Sequence, residues 1–135
     1  MGAWGTNTFD NDTAGDWAFE LEETDDLQLV ASTLQRALKA EGELSGRDAC
    51  EALAACEVVA RLKGNWGPCD AYTEDVDDWV KAHSGLSPDA LVDPALRVID
   101  RVLGPDSELR GLWDDTSEND AWHDAMEDLR SRVAS

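Results

Sequence analysis

Residues 45–64 read SGRDACEALAACEVVARLKG and carry the clearest helix signal in the chain. Ser45 and Asp48 approximate a capping box, with Asp in place of the usual Glu, so a helix is expected to begin here. Apolar residues then recur at helical spacing, and Gly64 is expected to end the helix. The residues expected on its buried face are Ala49, Leu53, Cys56, Val59 and Ala60.

Helical spacing also dominates on both sides of this segment. The expected starts are residues 12–16, Thr24 or Asp25, Thr73, Ser87 before Pro88, Asp93 before Pro94, Asp106, and Thr116 or Ser117. The expected inner faces are Ala14, Trp17, Ala18 and Leu21; Leu27, Val30, Leu34 and Leu38; Val76, Trp79 and Val80; Leu96, Ile99, Val102 and Leu103; Leu109, Leu112 and Trp113; and Trp122, Met126, Leu129 and Val133. No stretch alternates with period two for long enough to predict a strand.

The sequence therefore predicts an all-α fold of six to eight short helices, preceded by a structured N-terminal loop. Its 135 residues suit one domain, residues 1–135, with a core of its own. Six tryptophans and 42% hydrophobic residues exclude a disordered acidic tail. Trp4 and Trp66 lie in glycine-flanked loops, and we expect them to pack within the domain, with binding to a partner as the alternative.

The chain is strongly acidic, with 30 Asp and Glu against 11 Lys and Arg and a formal net charge of −19. This charge disfavours direct binding to nucleic acid or to an anionic membrane, because both need clustered Lys and Arg. The excess is uneven. Residues 1–35 hold eight acids and 111–129 hold seven, both without a base, whereas residues 36–63 are balanced and predict a structural helix pair.

Acidic residues share a face on two of the predicted helices. These residues are Glu74, Asp75 and Asp78 before and beside Trp79, and Asp120, Asp124 and Glu127 near the C-terminus. Like charges at this spacing are mildly destabilising, so the simplest interpretation is a solvated surface tolerated by a stable core. The alternative is a surface that binds a basic protein.

No catalytic arrangement or cofactor motif is present, so the sequence does not predict an enzyme. Asp10, Asp12 and Asp16 resemble part of a calcium loop, but Ala14 and Leu21 stand where such a loop needs oxygen ligands. A divalent-metal-dependent small enzyme, or a metal-binding protein, that uses these three carboxylates remains the alternative function. His83 and His123 belong to no recognisable nucleophile–base pair.

The three cysteines do not form a zinc-binding pattern. Cys50, Cys56 and Cys69 are odd in number and lack CxxC spacing, and they are better explained as small buried apolar residues. The sequence has no leader-like start and no apolar run of about 18 residues. We therefore expect a cytoplasmic protein with reduced thiols.

The N-terminal segment carries a further signature: MGAWG at residues 1–5, FDND at residues 9–12, and Asp16 followed by Trp17. With the helix ending near Gly64 and the following Trp66-Gly67, it resembles a bacterial domain-of-unknown-function family, number 4259. The resemblance implies a small stand-alone protein with no established activity and no catalytic residues. The signature residues are Trp4, Gly5, Phe9, Asp10, Asn11, Asp12, Asp16 and Trp17.

The hydrophobic members of this signature suggest a structural role, in which Trp4, Phe9 and Trp17 bury the entry loop and Asp10 and Asp12 accept hydrogen bonds from its backbone. For the whole chain, the uneven acidity favours an interaction protein with a basic partner, such as an immunity protein or a mimic of nucleic acid. The sequence leaves the oligomeric state open.

Overall fold

A computed structural model describes residues 6–135, so Trp4 and Gly5 lie outside the described residues. Within that range the chain forms seven α-helices and no strand, which confirms the all-α prediction. The helices are α1 (Asp12–Glu22), α2 (Gln28–Lys39), α3 (Gly46–Leu62), α4 (Glu74–Ala82), α5 (Val92–Val102), α6 (Glu108–Asp114) and α7 (Asn119–Ala134). A 3₁₀ turn, Asp89–Leu91, leads into α5, and one parallel bridge joins Leu44 to Ser107.

Helix α3 lies at the centre of the fold. The Ser45 hydroxyl caps it by accepting a hydrogen bond from the Asp48 amide at 3.1 Å, as predicted. At its other end Gly64 adopts a φ of +89°, which favours glycine, and the Asn65 amide donates back to the Ala60 carbonyl. All six other helices contact α3.

The burial of α3 exceeds the single face that the sequence predicted. Every residue from 51 to 61 is buried, including three charged ones. The alanines at positions 52, 54 and 55 explain this difference, because their small side chains allow neighbouring helices to approach from several directions. The strongest apolar segment of the sequence is therefore the central helix of the protein, and α2 packs against it as the predicted helix pair requires.

The inner faces of the other helices follow the predicted spacing with one clear exception. The buried residues on these faces are Ala14, Trp17, Ala18, Leu21, Val30, Leu34, Val76, Trp79, Val80, Ile99, Val102, Leu109, Trp122, Met126, Leu129 and Val133. Leu27, Leu38, Leu96, Leu103 and Trp113 pack against them and are partly buried. Leu112 was wrongly placed inside: it is 52% exposed, because α6 has only seven residues and turns that position outward.

Two helices begin at a different cap from the one expected. Asn11, and not a residue from 12–16, caps α1: its Oδ1 accepts from the Ala14 amide at 2.8 Å, while its Nδ2 donates to the Thr8 carbonyl. Ser107, and not Asp106, caps α6 by accepting from the Arg110 amide at 3.3 Å. In both cases a cap-forming residue next to the actual cap was predicted, and only the backbone geometry distinguishes the two residues.

Three further starts were wrong because no side chain caps those helices. Helix α2 begins at Gln28 and not beside Thr24 or Asp25, and α7 begins at Asn119. Asp93 lies inside the first turn of α5, which begins at Val92 directly after the 3₁₀ turn. No helix within residues 6–135 is long and apolar enough to cross a membrane.

Candidate functional site

A buried network of charges joins α3, α4 and α7. Arg61 of α3 is its centre: Nε donates to Asp77 Oδ1 at 2.8 Å, one terminal nitrogen donates to Glu57, and the other donates to the Pro68 carbonyl at 2.8 Å. Arg61 is 2% exposed, so these contacts replace water almost completely. The guanidinium also lies 6.0 Å from the Phe9 ring centre.

The carboxylates of this network have further partners. Glu57 accepts from the Thr8 hydroxyl at 3.0 Å and from both terminal nitrogens of Arg132, at 2.8 and 3.1 Å. Asp77 accepts from the Thr73 hydroxyl at 2.7 Å, so Thr73 marks the start of α4 but uses its hydroxyl for Asp77 and the Asp70 segment. Burial alone would lower the pKa of Arg132, but its hydrogen bonds and ion pairs with Glu57 and Asp128 raise it.

The buried part of the network, two carboxylates and two guanidinium groups, is neutral, and the exposed Asp128 pairs with Arg132 at its edge. Both carboxylate oxygens of Glu57 accept hydrogen bonds, from the guanidinium groups of Arg61 and Arg132 and from the Thr8 hydroxyl. The network is therefore structural: it fixes the N-terminal loop, α3, α4 and α7 relative to one another. One feature of the sequence indicates this ionic network: Glu57 and Arg61 lie four residues apart within an apolar helix.

The described part of the N-terminal signature also builds structure. Phe9 is buried beneath Arg61, Asn11 caps α1, and the Trp17 indole nitrogen donates to the Thr33 hydroxyl at 2.9 Å. Asp10 accepts from the Asn7 amide at 3.2 Å, as expected. Asp12 does not serve the loop backbone, because Asn11 already holds the position that accepts the helix amide.

The metal alternative finds no assembled site in the part of the chain that is described. Asp10 is turned back to Asn7, while Asp12 and Asp16 point to solvent from α1. No group of three or more His, Cys, Asp or Glu residues among residues 6–135 is arranged to hold an ion.

The cysteines occupy three different environments. Cys56 is buried and Cys50 partly buried, and desolvation, followed by a neighbouring glutamate, raises the pKa of Cys50 to about 11 and that of Cys56 as well. Cys69 is exposed, so the expectation of a buried thiol was wrong there. It lies in the loop before α4, in which residues 68–72 are all exposed.

Both histidines rest against aromatic rings. His83 stacks on Trp79 with ring centres 4.2 Å apart; its Nδ1 lies 2.8 Å from the Trp79 carbonyl and its Nε2 3.3 Å from Asp25. His123 contacts Trp122 edge-on, and its Nε2 lies 3.3 Å from Asp114. Neither ring faces a Ser, Thr or Cys side chain in these contacts, so the geometry gives them structural partners only.

Acidic side chains of α1 and α4 meet at the surface. Helix α1 packs against α4, and the charge of Asp75 acts on the Glu22 carboxyl, although 53 positions separate them in the sequence. The pKa of Glu22 is raised, first by loss of surrounding water and then by the charge of Asp75, the hydrogen bond to it, and the charges of Glu23 and Asp78. We call Glu22, Glu23, Glu74, Asp75 and Asp78 the α1–α4 acidic surface; all five are exposed.

The acidic residues predicted near the C-terminus form a second group. Asp120, Asp124 and Glu127 are exposed on α7, which packs against α3, α5 and α6. Helix α4 instead packs against α1 and α3. The fold thus joins the acids of the entry segment with those of α4, and it places the α7 acids on a separate helix that serves as an internal comparison.

Four large hydrophobic side chains are exposed within residues 6–135. Phe19 is 67% exposed on α1, Tyr72 is 63% exposed just before α4, and Leu112 is on α6. Trp66 is 37% exposed and only partly follows the expectation of packing within the domain. Its ring lies 5.7 Å from the Arg61 guanidinium and 5.9 Å from the Lys81 ammonium, and it forms one wall of an open cavity of about 330 Å³.

Together these features define a small all-α protein with a central helix, a neutral buried ionic network and an acidic surface where α1 and α4 meet. The sequence profile of the family described as "Domain of unknown function (DUF4259)" matches residues 2–125. The chain therefore belongs to this family, as its N-terminal signature suggested. Comparisons with curated proteins and with solved structures give no match.

Proposed function

We propose that this protein is a protein-binding module and that it docks a basic protein on the α1–α4 acidic surface. One observation carries the proposal: α1 packs against α4, so the exposed carboxyls of Glu22 and Glu23 and those of Glu74, Asp75 and Asp78 belong to adjoining helices, and the charge of Asp75 helps to raise the pKa of Glu22. Such an arrangement stores like-charge repulsion in the free protein. Lys and Arg side chains of a partner relieve that repulsion, so the same feature that disfavours the free state favours the complex.

The remaining charge of the chain supports a basic protein as the partner. With a net charge of −19, the whole molecule attracts cationic proteins over long distances and repels nucleic acid and anionic lipid. Neutralisation of a basic toxin and imitation of nucleic acid are the two kinds of binding that this charge suits. The divalent-metal alternative gains no specific observation, since Asp10, Asp12 and Asp16 have separate environments.

The test uses two variants that remove the same number of charges from different helices. Glu22→Gln/Asp75→Asn/Asp78→Asn alters the α1–α4 acidic surface, and Asp120→Asn/Asp124→Asn/Glu127→Gln alters α7. The wild-type chain is used to capture proteins from its native host at about 0.05 M and about 0.5 M salt. A captured basic protein is then purified, and its affinity for all three chains is measured by calorimetry.

The proposal expects the captured protein to bind wild type tightly at low salt and much more weakly at high salt. The α1–α4 variant should lose about tenfold or more in affinity at low salt, and the α7 variant much less. If no basic protein is captured at low salt, the proposal is wrong. Equal losses in both variants would show that only the total charge matters and that α1 and α4 form no docking surface.

A further inference from the structure

We infer that the open cavity beside Trp66 binds a small carboxylic acid, whose apolar body lies on the Trp66 ring and whose carboxylate contacts the Lys81 ammonium and the Ser84 hydroxyl. This inference is independent of the docking of a basic protein, because it concerns a small ligand of the opposite charge. We call the site the Trp66 cavity; the other side chains that line it are those of Arg61, Leu62 and Val80.

The Trp66 cavity lies where the end of α3 meets the end of α4. Helix α3 contributes Arg61 and Leu62 from its last turn. Helix α4 contributes Val80 and Lys81 from its last turn, and the loop between the two helices contributes Trp66. The cavity volume of about 330 Å³ falls within the range of about 300–1,000 Å³ that is usual for small-molecule sites. The site is therefore large enough for a small organic ligand.

The apolar part of the lining is the Trp66 ring together with Leu62 and Val80. The Trp66 side chain is 37% exposed, and the apolar surface that it leaves to water favours contact with an apolar ligand. Its ring centre lies 5.7 Å from the Arg61 guanidinium and 5.9 Å from the Lys81 ammonium. Both cations attract the ring and hold it in place. A ligand with a flat apolar body can therefore cover the exposed part of a ring that is already positioned.

The charge that the cavity offers to a ligand is that of Lys81. The charge of Arg61 is balanced inside the buried network, where its guanidinium donates to Asp77 and Glu57. Within residues 6–135, by contrast, no carboxylate oxygen lies within 4.0 Å of the Lys81 ammonium. A lysine in the last turn of a helix is favoured by the helix dipole, but that preference does not explain its place beside an apolar ring at a cavity. A ligand carboxylate supplies the missing counter-charge.

A monocarboxylate fits this cavity better than a phosphate group. Phosphate sites usually combine several cations or the amides of a helix N-terminus, whereas this cavity offers one ammonium and one hydroxyl at the C-terminal ends of two helices. The helix dipoles at these ends disfavour negative charge. The net charge of −19 also repels a dianion more strongly than a monoanion. The ligand must therefore gain much of its affinity from its apolar body.

The experiment uses three small probes. Naphthoate carries the ring and the charge, naphthamide carries the same ring without the charge, and acetate carries the charge without the ring. Each probe is titrated into wild type, Lys81→Gln and Lys39→Gln, and binding is followed by the NMR chemical shifts of the backbone amides and the indole groups. Lys39→Gln is the matched control, because Lys39 is also an exposed lysine in the last turn of its helix, α2.

We expect naphthoate to shift the amide signals of Gly64, Lys81 and Ser84 and the indole signal of Trp66, with a dissociation constant on the order of 1 mM for a ligand of this size. It should bind wild type about three- to fivefold more tightly than naphthamide, the factor that an ion pair at a partly exposed site provides. Lys81→Gln should abolish this preference, and Lys39→Gln should keep it. Acetate should leave the Trp66 indole signal unchanged at the same concentrations.

Three results would overturn the inference. If naphthoate shifts none of the signals around the Trp66 cavity, the cavity is not a binding site for such ligands. If naphthamide binds as tightly as naphthoate, or if Lys81→Gln keeps the preference for naphthoate, Lys81 does not recognise the carboxylate. If shifts of equal size appear around Phe19 and Leu112, naphthoate merely adheres to exposed apolar side chains. None of these results bears on the docking of a basic protein at the α1–α4 acidic surface.

Discussion

Replacing Arg61 with methionine tests the buried network most directly. Arg61→Met keeps an unbranched apolar stem but removes all three hydrogen-bonded contacts, to Asp77, Glu57 and the Pro68 carbonyl. Glu57 retains Arg132 as its counter-charge, whereas Asp77 retains only the Thr73 hydroxyl and becomes an uncompensated charge that is 6% exposed. Asp77 therefore bears most of the expected penalty.

Breaking a buried ion pair from one side costs about 3–5 kcal/mol. The free energy of unfolding of a natural domain is only about 5–15 kcal/mol, so Arg61→Met should remove a large share of it. For a chain of this length we expect the melting temperature to fall by roughly 10–20 °C. Urea unfolding at neutral pH, followed by tryptophan fluorescence, measures the loss directly.

Two further variants make this measurement decisive. Arg47→Met changes an arginine of the same helix whose side chain is 79% exposed and lies 3.8 Å from Glu51, and it should cost at most about 1 kcal/mol. Arg61→Met/Asp77→Asn should recover part of the loss, because it removes the unpaired charge. A loss below about 1 kcal/mol in Arg61→Met, or no recovery in the double variant, would show that water replaces the guanidinium and that the buried-charge reasoning is wrong.

Three other predictions concern single side chains. The pKa of Glu22 is raised above its ordinary value of 4.5, so the protonated side chain stabilises the folded protein below pH 4.5, and this stabilisation is lost as the pH rises through the pKa of the folded state. In a urea titration at pH 7, Glu22→Gln should therefore be more stable than wild type. The difference should vanish below pH 4.5. With a pKa of about 11, Cys50 is ionised in about one molecule in a thousand at pH 8, so a thiol reagent should react rapidly only with the exposed Cys69, and a rapid phase that persists in Cys69→Ser would contradict this. Asn11→Ala should cost about 1 kcal/mol in chemical unfolding and Asp12→Ala less, whereas the reverse order would restore Asp12 as the cap.

The helices were predictable because their signals are local. Ser45 with Asp48, Gly64, and the spacing of Trp122 to Val133 each lie within a few residues, and the structure follows them. Cap positions failed where two cap-forming residues are adjacent, as with Asn11 and Asp12. There the choice depends on the backbone of the preceding loop, which residue type alone does not define.

The ionic network and the acidic surface depend on contacts between distant residues. Glu57 and Arg132 are separated by 75 positions, and no pattern in either helix predicts their pairing. Asp77 lies in the acidic run EDVDD, where composition gives it the same character as its exposed neighbours. Its burial follows from the position of Arg61 across the α3–α4 contact. In the sequence, the neighbouring Val76 and Val80 indicate only which face of α4 is buried.

The exposure of the aromatic residues could be predicted from the sequence only in part. The outward direction of Phe19 follows from the same helical spacing that placed Trp17 and Leu21 inside, so its exposure was available from the sequence. The exposure of Tyr72 was not, because this residue precedes α4 and lies outside its helical spacing. Periodicity therefore predicts one of these two exposed rings and not the other.

The position of α3 also determines how the protein can open. Since every other helix packs on α3, and residues 51–61 have no exposed side, its amide protons can meet solvent only when the surrounding helices have separated. Hydrogen exchange in the middle of α3 should therefore report the free energy of global unfolding, while α6 and the ends of α1 and α4 exchange through smaller openings. The acidic surface then lies on elements that can adjust to a partner without releasing the centre of the fold.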